Sequence, residues 1–109
     1  MGEIEVRDIY KPAPGGDQNR IASTLVGGVW WVSTVDLTSF DPIGYACETM
    51  VFPCDATGKV ISWVEAYGNR YLTREGAEDG HAEAVRLFVE RCEREVRAER
   101  VLTMEEANA

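Results

Sequence analysis

The hydrophobic period of the chain changes once, at Thr73. Beyond it, Ala77, His81, Ala84, Val85, Phe88, Cys92 and Val96 fall three or four residues apart, apart from the adjacent Ala84 and Val85, forming one stripe of an amphipathic helix. Glu75, Glu78, Asp79 and Glu83 crowd its start, and Arg94, Arg97 and Arg100 crowd its end. Both clusters oppose the partial charges of the helix dipole. Glu90 with Arg94 and Glu93 with Arg97 add favourable pairs four residues apart. Thr73 is a natural N-cap, although Gly76 stands where a capping box would place glutamate. The pattern predicts a helix from about Arg74 to about Arg100, with the tail over 102–109 fraying.

Before Thr73 the period is two. Ile4, Val6, Ile9 and Tyr10 mark a first strand, and the proline- and glycine-containing run Lys11 to Asp17 marks a loop. Ile21 to Val26 and Val29 to Leu37 flank Gly27-Gly28, a two-residue connection suited to a tight hairpin. Counting back from that turn pairs Val26 with Val29, Leu25 with Trp30 and Thr24 with Trp31. In the second strand, Val29, Trp31, Ser33, Val35 and Leu37 share the face expected to be core. Trp30, Val32, Thr34 and Asp36 share the other. Thr38 to Gly44 reads as a loop, Tyr45 to Phe52 as a strand and Lys59 to Tyr67 as another. Gly68-Asn69 reads as a second hairpin turn into Arg70-Tyr71-Leu72. The expected architecture is α+β: an antiparallel meander of about four or five strands, then one long C-terminal amphipathic helix packed on the sheet. A length of 109 residues fits one domain, 1–109, with its core over about 3–100. One helix leaves the opposite sheet face open, and with Trp30, Val32, Met50 and Phe52 expected there, self-association follows.

Charge narrows the partners. The net charge is −8, with five basic against nine acidic residues before Thr73 and six against ten after it, leaving −4 on each side. No segment forms a basic platform, so general nucleic-acid binding is not expected, nor attachment to an anionic membrane. The chain has no apolar run long enough to span a bilayer and no signal-like N-terminus, so a cytoplasmic location is expected. Cys47, Cys54 and Cys92 are odd in number, form no Cys-x-x-Cys and share the chain with one histidine, His81. Three reduced thiols acting as small hydrophobes are expected, with no metal and no cofactor.

No phosphate-binding loop, zinc-protease signature or nucleophile elbow is present. Cys47 with His81 is the one nucleophile–base pair that spacing allows, although a histidine on an apolar helical stripe is more commonly a core residue. Glu48 lies mid-strand on the side of Met50 and Phe52, where a carboxylate needs a partner; Arg70, His81, Ser33 and Thr34 are the candidates. Trp30 and Trp31 must face opposite ways, leaving at most one for stacking. The candidate ligand-binding residues are therefore Glu48, Arg70, His81, Trp30, Thr34 and Arg20, with Arg74 as a further source of positive charge.

Taken in order, Ser33-Thr34-Val35-Asp36-Leu37, Glu48-Thr49-Met50-Val51-Phe52, Arg70-Tyr71-Leu72-Thr73 and Gly80-His81 resemble a group of small, mostly uncharacterised proteins of tailed bacteriophages and prophages. The resemblance covers roughly residues 29 to 89. Members often carry Asp-His shortly after the first motif and Glu three residues after the threonine; here those places read Ser39-Phe40-Asp41 and Gly76. The resemblance implies a phage or prophage origin. The expected role is a non-enzymatic accessory protein that binds and inhibits a host protein of defence or housekeeping, acting in the host cytoplasm, with homo-oligomerisation. The alternative is a sponge for a small anionic ligand such as a nucleotide signal, and behind it a small thiol or hydrolytic enzyme using Cys47, Glu48 and His81.

Overall fold

A computed structural model describes residues 3–38, 40 and 46–107. Five strands, β1 (Val6–Asp8), β2 (Arg20–Val26), β3 (Trp30–Asp36), β4 (Cys47–Pro53) and β5 (Tyr67–Tyr71), pair antiparallel in sequence order. One helix, α1 (Arg74–Ala107), follows and packs across the sheet. The α+β meander with a C-terminal helix is thus the fold. The loop expected over Thr38–Gly44 and the strand start expected at Tyr45 lie mostly outside the described residues.

The Gly27-Gly28 turn closes where expected, with the Val29 amide donating to the Val26 carbonyl at 3.2 Å. Both glycines have positive φ, +62° and +66°, which β-branched or bulky residues rarely adopt. The ladder nevertheless starts one residue later than counted. Val26 opposes Trp30, Leu25 opposes Trp31 and Thr24 opposes Val32, because Val29 belongs to the connection. A slip of one residue changes which side chains share a face.

The second expected hairpin is corrected more deeply. Gly68 and Asn69 lie inside β5, opposite Met50 and Thr49 of β4. A two-residue hairpin turn needs positive φ, and neither residue has it. The run over residues 59–66 is not a strand; a Val60–Cys54 bridge and amide bonds from Ile61 to the Pro53 carbonyl and from Ala66 to the Val51 carbonyl tie it to β4. The Asp55 carboxylate organises its start, accepting from the amides of Thr57 (2.9 Å) and Lys59 (3.0 Å). The chain then folds back over the sheet, carrying Trp63 onto Phe52.

The helix covers the face that sequence alone made the poorer core candidate. Val26, Val32 and Val51 meet Ala84, Phe88 and Cys92, with Trp30 half-buried beside them. Met50 and Phe52 lie on the opposite face with Trp31 and Leu25. Trp30 and Val32 are therefore not on an open face with Met50 and Phe52, as first expected. The reason lies in Thr34 and its neighbours. Their hydroxyls look polar in sequence but are satisfied internally, so burying them costs little. Small residues on the helix, Ala77 and Ala84, allow close approach, and both are fully buried.

Thr73 caps the helix as expected, accepting from the Gly76 amide at 3.0 Å. Gly80 lies so close to Tyr71 that a Cβ there would come within 2.1 Å of the phenol oxygen. The helix extends past the expected end near Arg100 to Ala107, and its last turns are exposed. Thirty-four residues at the α-helical rise give a rod of roughly 50 Å, which accounts for most of the 60 Å long axis of the molecule.

Candidate functional site

The sheet presents two different surfaces, and the candidate residues divide between them. On the helix side, His81 is buried among threonines. Its Nδ1 lies 2.7 Å from Thr34 Oγ1 and its Nε2 lies 2.8 Å from Thr24 Oγ1. Thr24 donates onward to the Asp8 carboxylate at 3.0 Å, and Thr34 lies 2.5 Å from Thr49 Oγ1. Donor counting orders this network. An ionised Asp8 only accepts, so the Thr24 proton is committed to it and His81 Nε2–H must donate to Thr24. His81 Nδ1 then accepts from Thr34, and Thr34 accepts from Thr49. The imidazole is neutral, and burial holds its pKa down to about 4, with Arg20 acting the same way and Asp8 opposing.

That arrangement separates the three residues considered for thiol chemistry. Both His81 ring nitrogens are occupied by threonines, so neither is available to Cys47. Cys47 and Glu48 are adjacent in β4 and point to opposite faces. Burial raises the thiol pKa of Cys47, Cys54 and Cys92, opposite to what an activated cysteine requires. All three are free and buried. Among the described residues, no group of histidine, cysteine and acidic side chains could hold a metal ion. No described helix is long and apolar enough to cross a membrane. Trp30 also belongs to the helix side, edge-on to Phe88 at 5.0 Å and beneath Arg91 at 4.5 Å.

On the outer face lies a cleft of about 500 Å³. Trp31, Phe52, Met50 and Val35 belong to the sheet and form its floor; Pro12, Ala13 and Pro14 form one wall, and Trp63 closes the other side. Trp31, Phe52 and Trp63 contact one another with centroids 5.1–6.3 Å apart, two of the three pairs edge-on. Trp31 is 6% exposed and held by its Nε1–H donating to Ser23 Oγ at 2.8 Å, whereas Trp63 is 69% exposed. The floor is thus buried and anchored, and Trp63 is open to solvent.

Arg20 and Ser33 supply the polar side of the cleft. Arg20 Nη1 donates to Ser33 Oγ at 2.9 Å, Nε to the Lys11 carbonyl at 3.1 Å and Nη2 to the Pro12 carbonyl at 3.1 Å. The guanidinium therefore ties the Lys11–Pro14 wall to the sheet. Lys11 extends its ammonium over the Trp31 ring, 4.4 Å from the centroid. Glu48 lines the same cleft, and Arg70 is its partner of the four considered, at 2.9 Å. The pair is lopsided: the Glu48 side chain is 13% exposed and that of Arg70 58%. Arg74 is remote from this group, 3.6 Å from Asp36.

Of the residues named from sequence, the fold brings Arg20, Glu48 and Arg70 to the outer face and sends Trp30, Thr34 and His81 to the helix side. Trp31 is buried, as its face predicted, and still floors the cleft; sequence reasoning did not foresee the cleft itself, nor that Trp63 and the proline wall line it. One signal was present: Ser33 lies between Trp31 and Val35 on an otherwise apolar face, a polar group that a closed core would not favour. No family model, curated protein or solved structure matches this chain.

Proposed function

We propose that the protein binds and sequesters a small molecule in its outer cleft, in the manner of a sponge rather than a catalyst. The observation that carries this reading is the cleft itself: a concave, mostly apolar hollow of about 500 Å³ with a few convergent polar groups, within the range of small-ligand sites. The neutral, fully engaged His81 and the buried thiols with raised pKa favour holding over transforming. On the resemblance to small phage proteins, the setting is a host cell from which a metabolite is withdrawn. The test is a thermal-shift screen of fractionated small-molecule extract from bacterial cells, run on the wild type and on Trp63→Ala. A ligand at one hundred times its Kd adds about 2.7 kcal/mol of stability. A stabilising fraction that loses its effect on Trp63→Ala is expected; a complete screen with no stabilising fraction overturns the reading.

A second reading, inhibition of a host protein, is favoured by the exposed apolar residues Ile61, Trp63 and Val64, of which Trp63 lines the cleft. The net charge of −8 favours a partner with a basic surface, and Val101, Leu102 and Met104, exposed on the last turns of α1, offer a surface for a second copy. The two readings separate by size. Under the first, the stabilising species passes a small-molecule filter; under the second, it is retained and its effect is lost on Ile61→Glu with Val64→Glu.

A further inference from the structure

We propose that the cleft takes a planar, largely apolar molecule carrying a single negative charge, its ring on the Trp31–Phe52–Trp63 cluster and its anionic group at Arg20 and Ser33. The inference rests on the ligand-binding reading and names its ligand class. Arg20 is a half-buried cation, and among the described residues no carboxylate lies within ion-pair distance of it. Among the described residues its contacts are with the Lys11, Pro12, Ala22 and Thr34 carbonyls and the Ser33 hydroxyl, all neutral groups that solvate its charge without cancelling it.

Donor counting leaves capacity at that end. A guanidinium has two N–H groups on Nη2, and one acceptor, the Pro12 carbonyl, is in place there. Ser33 Oγ accepts from Arg20, and its own proton has no acceptor among the described residues. One anionic oxygen can therefore receive a charge-assisted N–H and an O–H together. Lys11 adds a second positive charge above Trp31. Among the described residues Glu48 is the one acidic side chain lining the cleft, and Arg70 answers it. A chain of net charge −8 thus concentrates positive charge at one end of this hollow.

The same geometry argues against other ligands. A cationic ring would compete with Lys11 for the Trp31 face and be repelled by Arg20. A molecule with several phosphates would place further charges on the apolar floor or beside the Glu48 carboxylate.

Isothermal titration of the intact protein with 2-naphthoate, 2-naphthylmethanol, 2-naphthylmethylammonium and adenosine monophosphate tests this. Binding of 2-naphthoate about ten-fold tighter than 2-naphthylmethanol is expected, the size of one charged hydrogen bond. That preference should vanish in Arg20→Met, and all binding should weaken in Trp63→Ala. Because Arg20 also anchors the proline wall, Ser33→Ala and Lys11→Met serve as a second line, each expected to reduce the preference by about three-fold. If neither they nor Arg20→Met changes it, the anion site is overturned. Equal or tighter binding of the neutral or cationic probe, still dependent on Trp63, overturns the charge assignment and leaves the cleft as a binding site. Tighter binding of adenosine monophosphate overturns the single-charge class. If none of the four binds, this inference falls, while the screen of cell extract still decides whether the cleft binds anything.

Discussion

The two faces of one sheet solve the burial of polar groups in opposite ways. Beneath the helix, each hydroxyl from Thr24, Thr34 and Thr49 joins a chain that ends on the Asp8 carboxylate, with the His81 ring as its central link. On the outer face, Arg20 and Ser33 are bonded to the chain but keep donor capacity, beside an aromatic floor that no helix covers. A closed network leaves nothing for a ligand and serves to fix the helix on the sheet. An open one at the edge of an apolar hollow has a use only when something else completes it. Each face carries a buried apolar cluster, but the polar network closes on the helix side and stays open on the outer one.

That division can be broken by mutation. The largest effect belongs to Phe88→Ala, which removes the aromatic wedge between Trp30 and Tyr67. A loss of about 3–4 kcal/mol in chemical denaturation is expected, with the affinity of any cleft ligand unchanged below the unfolding transition. An equal loss of ligand affinity would show that the faces are not separate.

Acid provides a second probe. The folded His81 pKa is depressed to about 4, below its unfolded value near 6.5, so the unfolded chain binds the extra proton first. The stabilising contribution is complete above pH 6.5 and is lost as pH falls towards 4. A decrease of about 3 kcal/mol down to pH 4 is expected, measured by urea titration at each pH. In His81→Leu that part of the slope should disappear, and its persistence would assign the acid sensitivity to other groups.

Thr34→Val keeps the shape but takes the proton donor from His81 Nδ1 and the acceptor from Thr49. A cost of about 1–2 kcal/mol is expected from the equilibrium midpoint. The Thr34→Val, Thr49→Val pair should cost less than the two single changes added together, because it removes both ends of one bond. The smallest stability effect is expected on the outer face. Trp63→Ala, at a site 69% exposed, should change stability by less than about 0.5 kcal/mol while disturbing ligand binding most. A large stability loss there would make the cleft part of the core.

Much of the scaffold was legible because its signals are local. The helix follows from its stripe and from the Thr73 cap, and the first hairpin follows from two glycines at positive φ. The larger misreadings share a source, decisions made by contacts between distant segments. Gly68-Asn69 looks like a turn but lies extended because β4 has an open edge to pair with. The helix chose the face with threonines because His81, 47 residues beyond Thr34, completes their bonding. The Glu48–Arg70 pair was within reach of sequence reasoning, since a strand carboxylate needs a partner and few cations were available. The place of Trp63 over Phe52 was not, because it depends on a segment that folds back irregularly across the sheet.

By itself the amino-acid sequence determined the local terms: where the period is two and where it is 3.6, which turn can reverse the chain, and how charge is spread along it. Tertiary structure alone decided which sheet face the helix would cover, and so which tryptophan became wedge and which became floor. Periodicity assigns side chains to faces, but the faces are equivalent until a partner satisfies the polar groups on one of them. That satisfaction is a long-range event, and the cleft is what remained on the other side.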